Sequence, residues 1–359
     1  MSHVKFLLLP CLLLATVALA RPPKQPSQPD IGPGGSDYPH DGVRMLGPFG
    51  EGAKAFWLFE PDAPIPVSAP VIAFLHGFSA VDAQAYGGWI GHLVRRGNIV
   101  IYPVFQTTMF GAGHYTANAL AGLKDALRML RSEPDHVRPE EDNFAFVGHS
   151  LGCTISANII GVAVHEGLPR PKAFIACHAG DTNSMMPLLP SHLQSPALMP
   201  DLLMLVVVGA GDYVAGDTTG RQIFTQSSGV KPSHKNLIIV QSDHTGSPGL
   251  VSSHFAPLAA IKAFSTGARL SIGLEETSLP GPLRSALTEK INKAMFLPRS
   301  GGIDALDFYG YWKWLDALTD AAFYGTHREW ALGDTPEQRY LGTWSDGRPV
   351  KPAIVELGK

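Results

Sequence analysis

Phe144 to Val147 is a short apolar run of strand length, and it ends in Gly148, His149, Ser150, Leu151 and Gly152. Small and apolar residues then continue at helical spacing through Ile155 and Ala157. A strand that becomes a helix within a few residues needs a sharp bend, and flanking glycines relieve its steric strain. The residue at the apex projects from the carboxyl end of the strand, over the positive end of the following helix. Here that residue is a serine. A serine hydroxyl is a weak nucleophile at neutral pH and needs an imidazole within hydrogen-bond reach, itself oriented by a carboxylate. The chemistry such a set performs is acyl transfer.

The G-x-S-x-G pentapeptide between a strand and a helix resembles the α/β-hydrolase superfamily, over about residues 40 to 266. Within it the chain is similar to secreted carboxylesterases of the dienelactone-hydrolase and polyester-hydrolase type. The resemblance implies a triad in the order serine, acid, histidine, each in a loop that follows a strand. Ser150, Asp212 and His244 stand in that order, each after an apolar run. Asp217, in the same loop as Asp212, and Asp181, after the preceding strand, are alternative acids. Asp243 adjoins His244 and reads as structural. His254, at the start of an expected helix, and His234, before the last strand, are weaker bases, and His149 is expected to pack beneath the turn. The run Val71 to Leu75 ends in His76, Gly77 and Phe78, the family's oxyanion-loop position, so the Phe78 and Leu151 N–H groups are the implied oxyanion donors. Met185, Met186 and His178 are expected to line the substrate pocket, methionines suiting a tolerant apolar wall.

The elements that position these residues follow from alternation of apolar runs with helical patterns. Strands are expected at 53–59, 71–75, 98–104, 144–147, 172–177, 202–208 and 237–240, with helices at 86–96, 114–131, 151–166, 218–226 and 253–264. That alternation predicts an α/β fold, a mostly parallel sheet with helices on both faces. A C-terminal extension, 269–359, carries an aromatic stripe over 304–324: Phe308, Tyr311, Leu315, Leu318 and Ala322, with Lys313, Asp316 and Asp320 towards the opposite face. It is expected to pack on the 41–268 hydrolase domain, its tail from Arg328 running over the surface.

Bulk properties narrow the class. The 359 residues are 45% hydrophobic and 16% charged, a globular composition with a sizeable core. A net charge of −3 gives no electrostatic case for nucleic acid or an anionic membrane. The fourteen histidines are scattered, without H-E-x-x-H or paired C-x-x-C spacing; His114, His178 and Asp181 are a weak grouping, and no metal or cofactor is expected. Phe6 to Ala20 is apolar after a weakly basic start and closes on Ala18, Leu19 and Ala20, which reads as a signal peptide cleaved before Arg21. Residues 21–40, rich in Pro, Gly and Ser, read as a loose lead-in. The expected function is a secreted or periplasmic ester hydrolase acting on a small or polymeric ester. The alternatives are a lipase or polyester hydrolase, an amidase or peptidase, and a non-catalytic binding protein on the same scaffold.

Overall fold

The computed structural model describes residues 21–108, 112–180, 193–194, 199–270, 280–283, 285–286 and 302–359. Among them the strands are β1 (Gly42–Phe49), β2 (Phe56–Asp62), β3 (Ser68–Leu75), β4 (Ile99–Pro103), β5 (Arg138–His149), β6 (Ala173–Cys177), β7 (Leu203–Gly209), β8 (Lys235–Val240) and β9 (Ile354–Leu357). They form one sheet in the order β1-β2-β4-β3-β5-β6-β7-β8-β9. From β4 to β8 the pairing is parallel, while β1, β2 and β9 run antiparallel to their neighbours. The fold is therefore mixed α/β around a mostly parallel sheet.

The period-two geometry of a strand distributes each apolar run between two layers. In β3, Val71, Ala73 and Leu75 join one core while Ile72 and Phe74 join the other. The first core is closed by α2 (Tyr115–Ser132), α3 (Leu151–Val162) and α4 (Thr218–Gln226), through Leu123, Leu127, Ile155, Ile159 and Ile223. The second is closed by α1 (Gly87–Arg95) and α5 (Trp312–Phe323), through Trp89, Ile90, Trp314, Leu315 and Leu318. A parallel sheet needs cover on both faces, and α5 supplies it over β5, β6 and β7. Full burial of Leu315 and Leu318 contributes roughly 2 kcal/mol each.

Several expectations change here. Residues 253–264 are not a helix: they run as turns and irregular chain, closing in a short 3₁₀ turn at Lys262–Phe264. The helix that covers this part of the sheet comes instead from the C-terminal segment. Lys313 and Asp316, assigned to a polar face, are buried. The tail does not merely cross the surface, because β9 pairs with the edge strand β8, Val355 opposite Ile238. Two short helices, α6 (Arg328–Ala331) and α7 (Pro336–Arg339), lie between α5 and β9. Residues 21–40 are strapped to the body rather than loose. The Gly34 N–H donates to Asp316 Oδ2 at 2.8 Å, and Gly34 has φ 78°, with no room for a Cβ beside the Phe308 carbonyl. No described helix is long and apolar enough to cross a membrane.

Candidate active site

Ser150 sits between the end of β5 and the start of α3, at φ 53° and ψ −123°, a conformation sparsely populated by residues with a side chain. Its neighbours in the pentapeptide are glycines for a steric reason. A Cβ on Gly148 would lie 2.6 Å from Cys153 Cα, and one on Gly152 would lie 2.0 Å from the Leu75 carbonyl oxygen. The bend is held from the next strand, since Ser150 N–H donates to the Cys177 carbonyl at 3.0 Å.

The Ser150 hydroxyl faces His254. His254 Nε2 is 3.0 Å from Ser150 Oγ, and His254 Nδ1 is 2.9 Å from Asp212 Oδ2. A carboxylate only accepts, so Nδ1 carries the proton and Nε2 is left to accept from the serine hydroxyl. The other carboxylate oxygen, Oδ1, accepts the Val214 and Ala215 N–H groups, each at 2.9 Å. Burial would raise the Asp212 pKa. Hydrogen bonds from His178, His254 and Ala215 N–H outweigh burial and hold it well below the usual carboxylate range. Asp212 is therefore a carboxylate at any working pH.

Ser150 and Asp212 thus come together, with His254 in the place expected of His244. His244 is exposed. After β8 the chain makes a turn closed by reciprocal bonds between Asp243 and Leu250, both 2.8 Å, and His244 lies on that turn beside Gly249. The strand end is spent on the turn, and the imidazole that reaches Ser150 arrives ten residues later. Thr245, Gly246, Ser247, Pro248 and Gly249 are the turn formers that carry this signal in the sequence.

The alternative acids and bases have other occupations. Asp217 precedes α4 and pairs with Arg221 at 2.6 Å on the surface. Asp243 is buried and accepts from Thr245 N–H, Trp344 Nε1 and Lys351 N–H; these bonds outweigh burial and bring its pKa down to about 2. His234 precedes β8, at the end of the sheet away from Ser150. His149 is a strut: its Nε2 donates to the His254 carbonyl at 2.9 Å, and its Nδ1 accepts from Tyr86 Oη at 2.8 Å. Tyr86 Oη in turn accepts the Gly77 N–H at 2.9 Å. One chain of bonds therefore ties the loop after β3, the serine turn and the His254 loop together.

The remaining site expectations divide. Phe78 lies between two amides that are pinned, Gly77 N–H on Tyr86 and Ser79 N–H on Gln106 Oε1 at 2.8 Å. Leu151 opens α3, where an N–H has no carbonyl of its own helix to bond. His178, expected on the pocket wall, is fully buried behind Asp212. His114 is exposed, and Met185, Met186 and Asp181 lie outside the described residues. Cys153 and Cys177 are free, buried thiols, the first donating to the carbonyl of the second at 3.3 Å. His178, Asp212 and His254 bring ligand-type atoms within 4.8 Å of one another. Both Nδ1 atoms point at the same carboxylate oxygen at hydrogen-bond distance, a spacing that protons satisfy without an ion. Neither a protein-family model nor a curated protein matches this chain.

Proposed function

We propose that the protein is a serine hydrolase of the α/β-hydrolase fold that cleaves carboxylic esters through an acyl-enzyme. The observation that carries the reading is the hydrogen-bonded series Ser150, His254, Asp212, set at the carboxyl ends of β5, β8 and β7. The strand order, with β2 reversed beside a parallel run, is what that fold would require. In the proposed reaction His254 takes the Ser150 proton as Oγ attacks the ester carbonyl, and the imidazolium is stabilised by Asp212. The Phe78 and Leu151 N–H groups are the proposed oxyanion donors, each worth about 3 kcal/mol in the transition state. His254 then protonates the departing alcohol, and later takes a proton from the water that releases the acid. Polymeric esters and export from the cytoplasm, with a mature chain starting at Arg21, belong to the same proposal.

The test is hydrolysis of p-nitrophenyl acetate by exported protein, with a fluorophosphonate probe for the nucleophile. Ser150→Ala and His254→Ala are each expected to lower kcat by about 10⁴-fold or more, and Ser150→Ala to abolish labelling. His244→Ala should retain wild-type activity. A folded wild-type protein that neither labels nor turns over would leave the scaffold to a binding role.

A further inference from the structure

Asp212 Oδ2 accepts two imidazoles rather than one. Opposite His254, His178 Nδ1 lies 3.1 Å from the same oxygen, and His178 Nε2 lies 2.7 Å from Tyr311 Oη. The arrangement is a near mirror image about the carboxylate: hydroxyl, imidazole, carboxylate, imidazole, hydroxyl. One hydroxyl is Ser150 at the site; the other belongs to Tyr311, in the last turn before α5.

We propose that Tyr311 and His178 are positioning residues for the reaction, a second arm by which the C-terminal segment sets the acid that orients His254. The proposal rests on the hydrolase reading above. His178 Nδ1 bonds an acceptor-only carboxylate, so it must carry the proton, and Nε2 must accept. The Tyr311 hydroxyl is the donor that enforces this tautomer. In the other tautomer a lone pair on Nδ1 would face the carboxylate, and the bond that fixes the orientation of Oδ2 would be lost.

The fold makes specific room for this arm. His178 follows β6 at φ 52°, a left-handed conformation that costs a residue with a side chain of order 1 kcal/mol. Its ring occupies space that only a glycine at position 209 leaves, since a Cβ there would lie 2.5 Å from His178 Cε1. Tyr311 is delivered by a π-helical turn, Asp307–Tyr311, which inserts extra backbone ahead of α5. Such turns occur often where a side chain must be aimed. Trp89 and Trp314 wall the Tyr311 ring, at centroid distances of 6.2 and 6.1 Å. Besides the five groups of the arm and triad, the titratable neighbours are His149, bonded to the His254 carbonyl, Cys177, and Asp304 and Asp307 on the Tyr311 side.

A purely structural role would alter stability alone. A positioning role alters turnover with binding unchanged, and alters its pH dependence. With the His178 N–H withdrawn, the Asp212 charge is shared less and protonated His254 is better stabilised, so the acid limb of kcat/KM moves to higher pH. With p-nitrophenyl acetate as the probe, Tyr311→Phe is expected to lower kcat about 3- to 10-fold with KM unchanged and the acid limb raised. His178→Gln should do the same or more, and the double variant should be no worse than His178→Gln alone. Should Tyr311→Phe not fold, His178→Gln decides. Wild-type kcat and pH profile in the folded variants would overturn the proposal while leaving the hydrolase reading intact. An inactive wild-type protein that resists fluorophosphonate would fail the hydrolase reading, and this proposal with it.

Discussion

The two glycines around Ser150 have different neighbours from most others in the chain, and this separates packing from conformational need. Gly152 has no positive φ, yet a Cβ there would meet the Leu75 backbone at 2.0 Å, and neither α3 nor β3 can yield without losing its hydrogen bonds. Gly152→Ala should therefore cost about 3 kcal/mol or more in a denaturant titration. Gly113→Ala is the control: it is exposed with nothing within 4 Å, and should change stability by less than about 0.5 kcal/mol. A wild-type midpoint for Gly152→Ala would refute the close-approach account. Residues of this kind are legible because the constraint is local: strand, glycine, serine, glycine, helix. Asp212 was legible on the same ground, three residues past the end of β7. His254 was not. No local rule fixes how many residues a loop spends between a strand and the side chain it presents, and the Asp243–Leu250 turn consumed those that seemed nearest.

The element that sequence periodicity described least well is α5. Its apolar stripe was evident, and pattern reading then consigns the intervening charges to water. Instead Lys313 Nζ donates to the carbonyls of Glu337, Gln338 and Tyr340, at 2.9, 3.3 and 2.6 Å. Burial lowers its pKa to about 7, against a small opposing effect of Glu337. Asp316 accepts from His92 Nε2 and from Gly34 N–H, both at 2.8 Å, and forms an ion pair with Arg96 Nε at 3.3 Å. Burial would raise its pKa, but His92, Arg96 and these bonds hold it low. The partners of Lys313 lie 24 to 27 positions away and those of Asp316 more than 200, which is why no helix-length window of sequence contains the reason. The network joins the N-terminal strap, α1 and α5, so its loss should be felt beyond one contact. Asp316→Ala is expected to destabilise by about 3 kcal/mol, leaving buried donors unpaired. Chemical denaturation measures it, and a loss under 1 kcal/mol would mean that the three elements are held by apolar packing alone.

Among the described residues, the segment from residue 21 is tied to the body through Gly34 and Asp316, and at the C-terminal end β9 pairs with β8, where Arg221 on α4 holds Glu356 of β9 at 3.0 Å. The core so enclosed contains titratable groups whose pKa shifts oppose one another, and their balance sets how stability follows pH. Burial lowers the pKa values of His76, to about 4, and of His149 and His178. A depressed histidine contributes stability that is present above its ordinary 6.5 and lost as pH falls; for His76 this amounts to about 3 kcal/mol between 6.5 and 4. Asp304 and Asp307 act in the opposite sense, burial raising the first to about 6 and the second well above its ordinary 3.8. Their contribution is present below 3.8 and lost as pH rises through the folded value. They also cap the helical segment reciprocally, Asp304 Oδ1 accepting Leu306 N–H and Asp307 Oδ2 accepting Asp304 N–H, both at 2.8 Å. Asp307 Oδ1, by contrast, is buried with no partner among the described residues. Asparagine keeps an accepting oxygen for the cap and carries no charge at any pH. Asp307→Asn is therefore expected to melt with wild type at pH 4 and several degrees above it at pH 8, in paired thermal scans. The same difference at both pH values would show that the Asp307 charge costs the folded state nothing, and that the cap, rather than ionisation, governs this position.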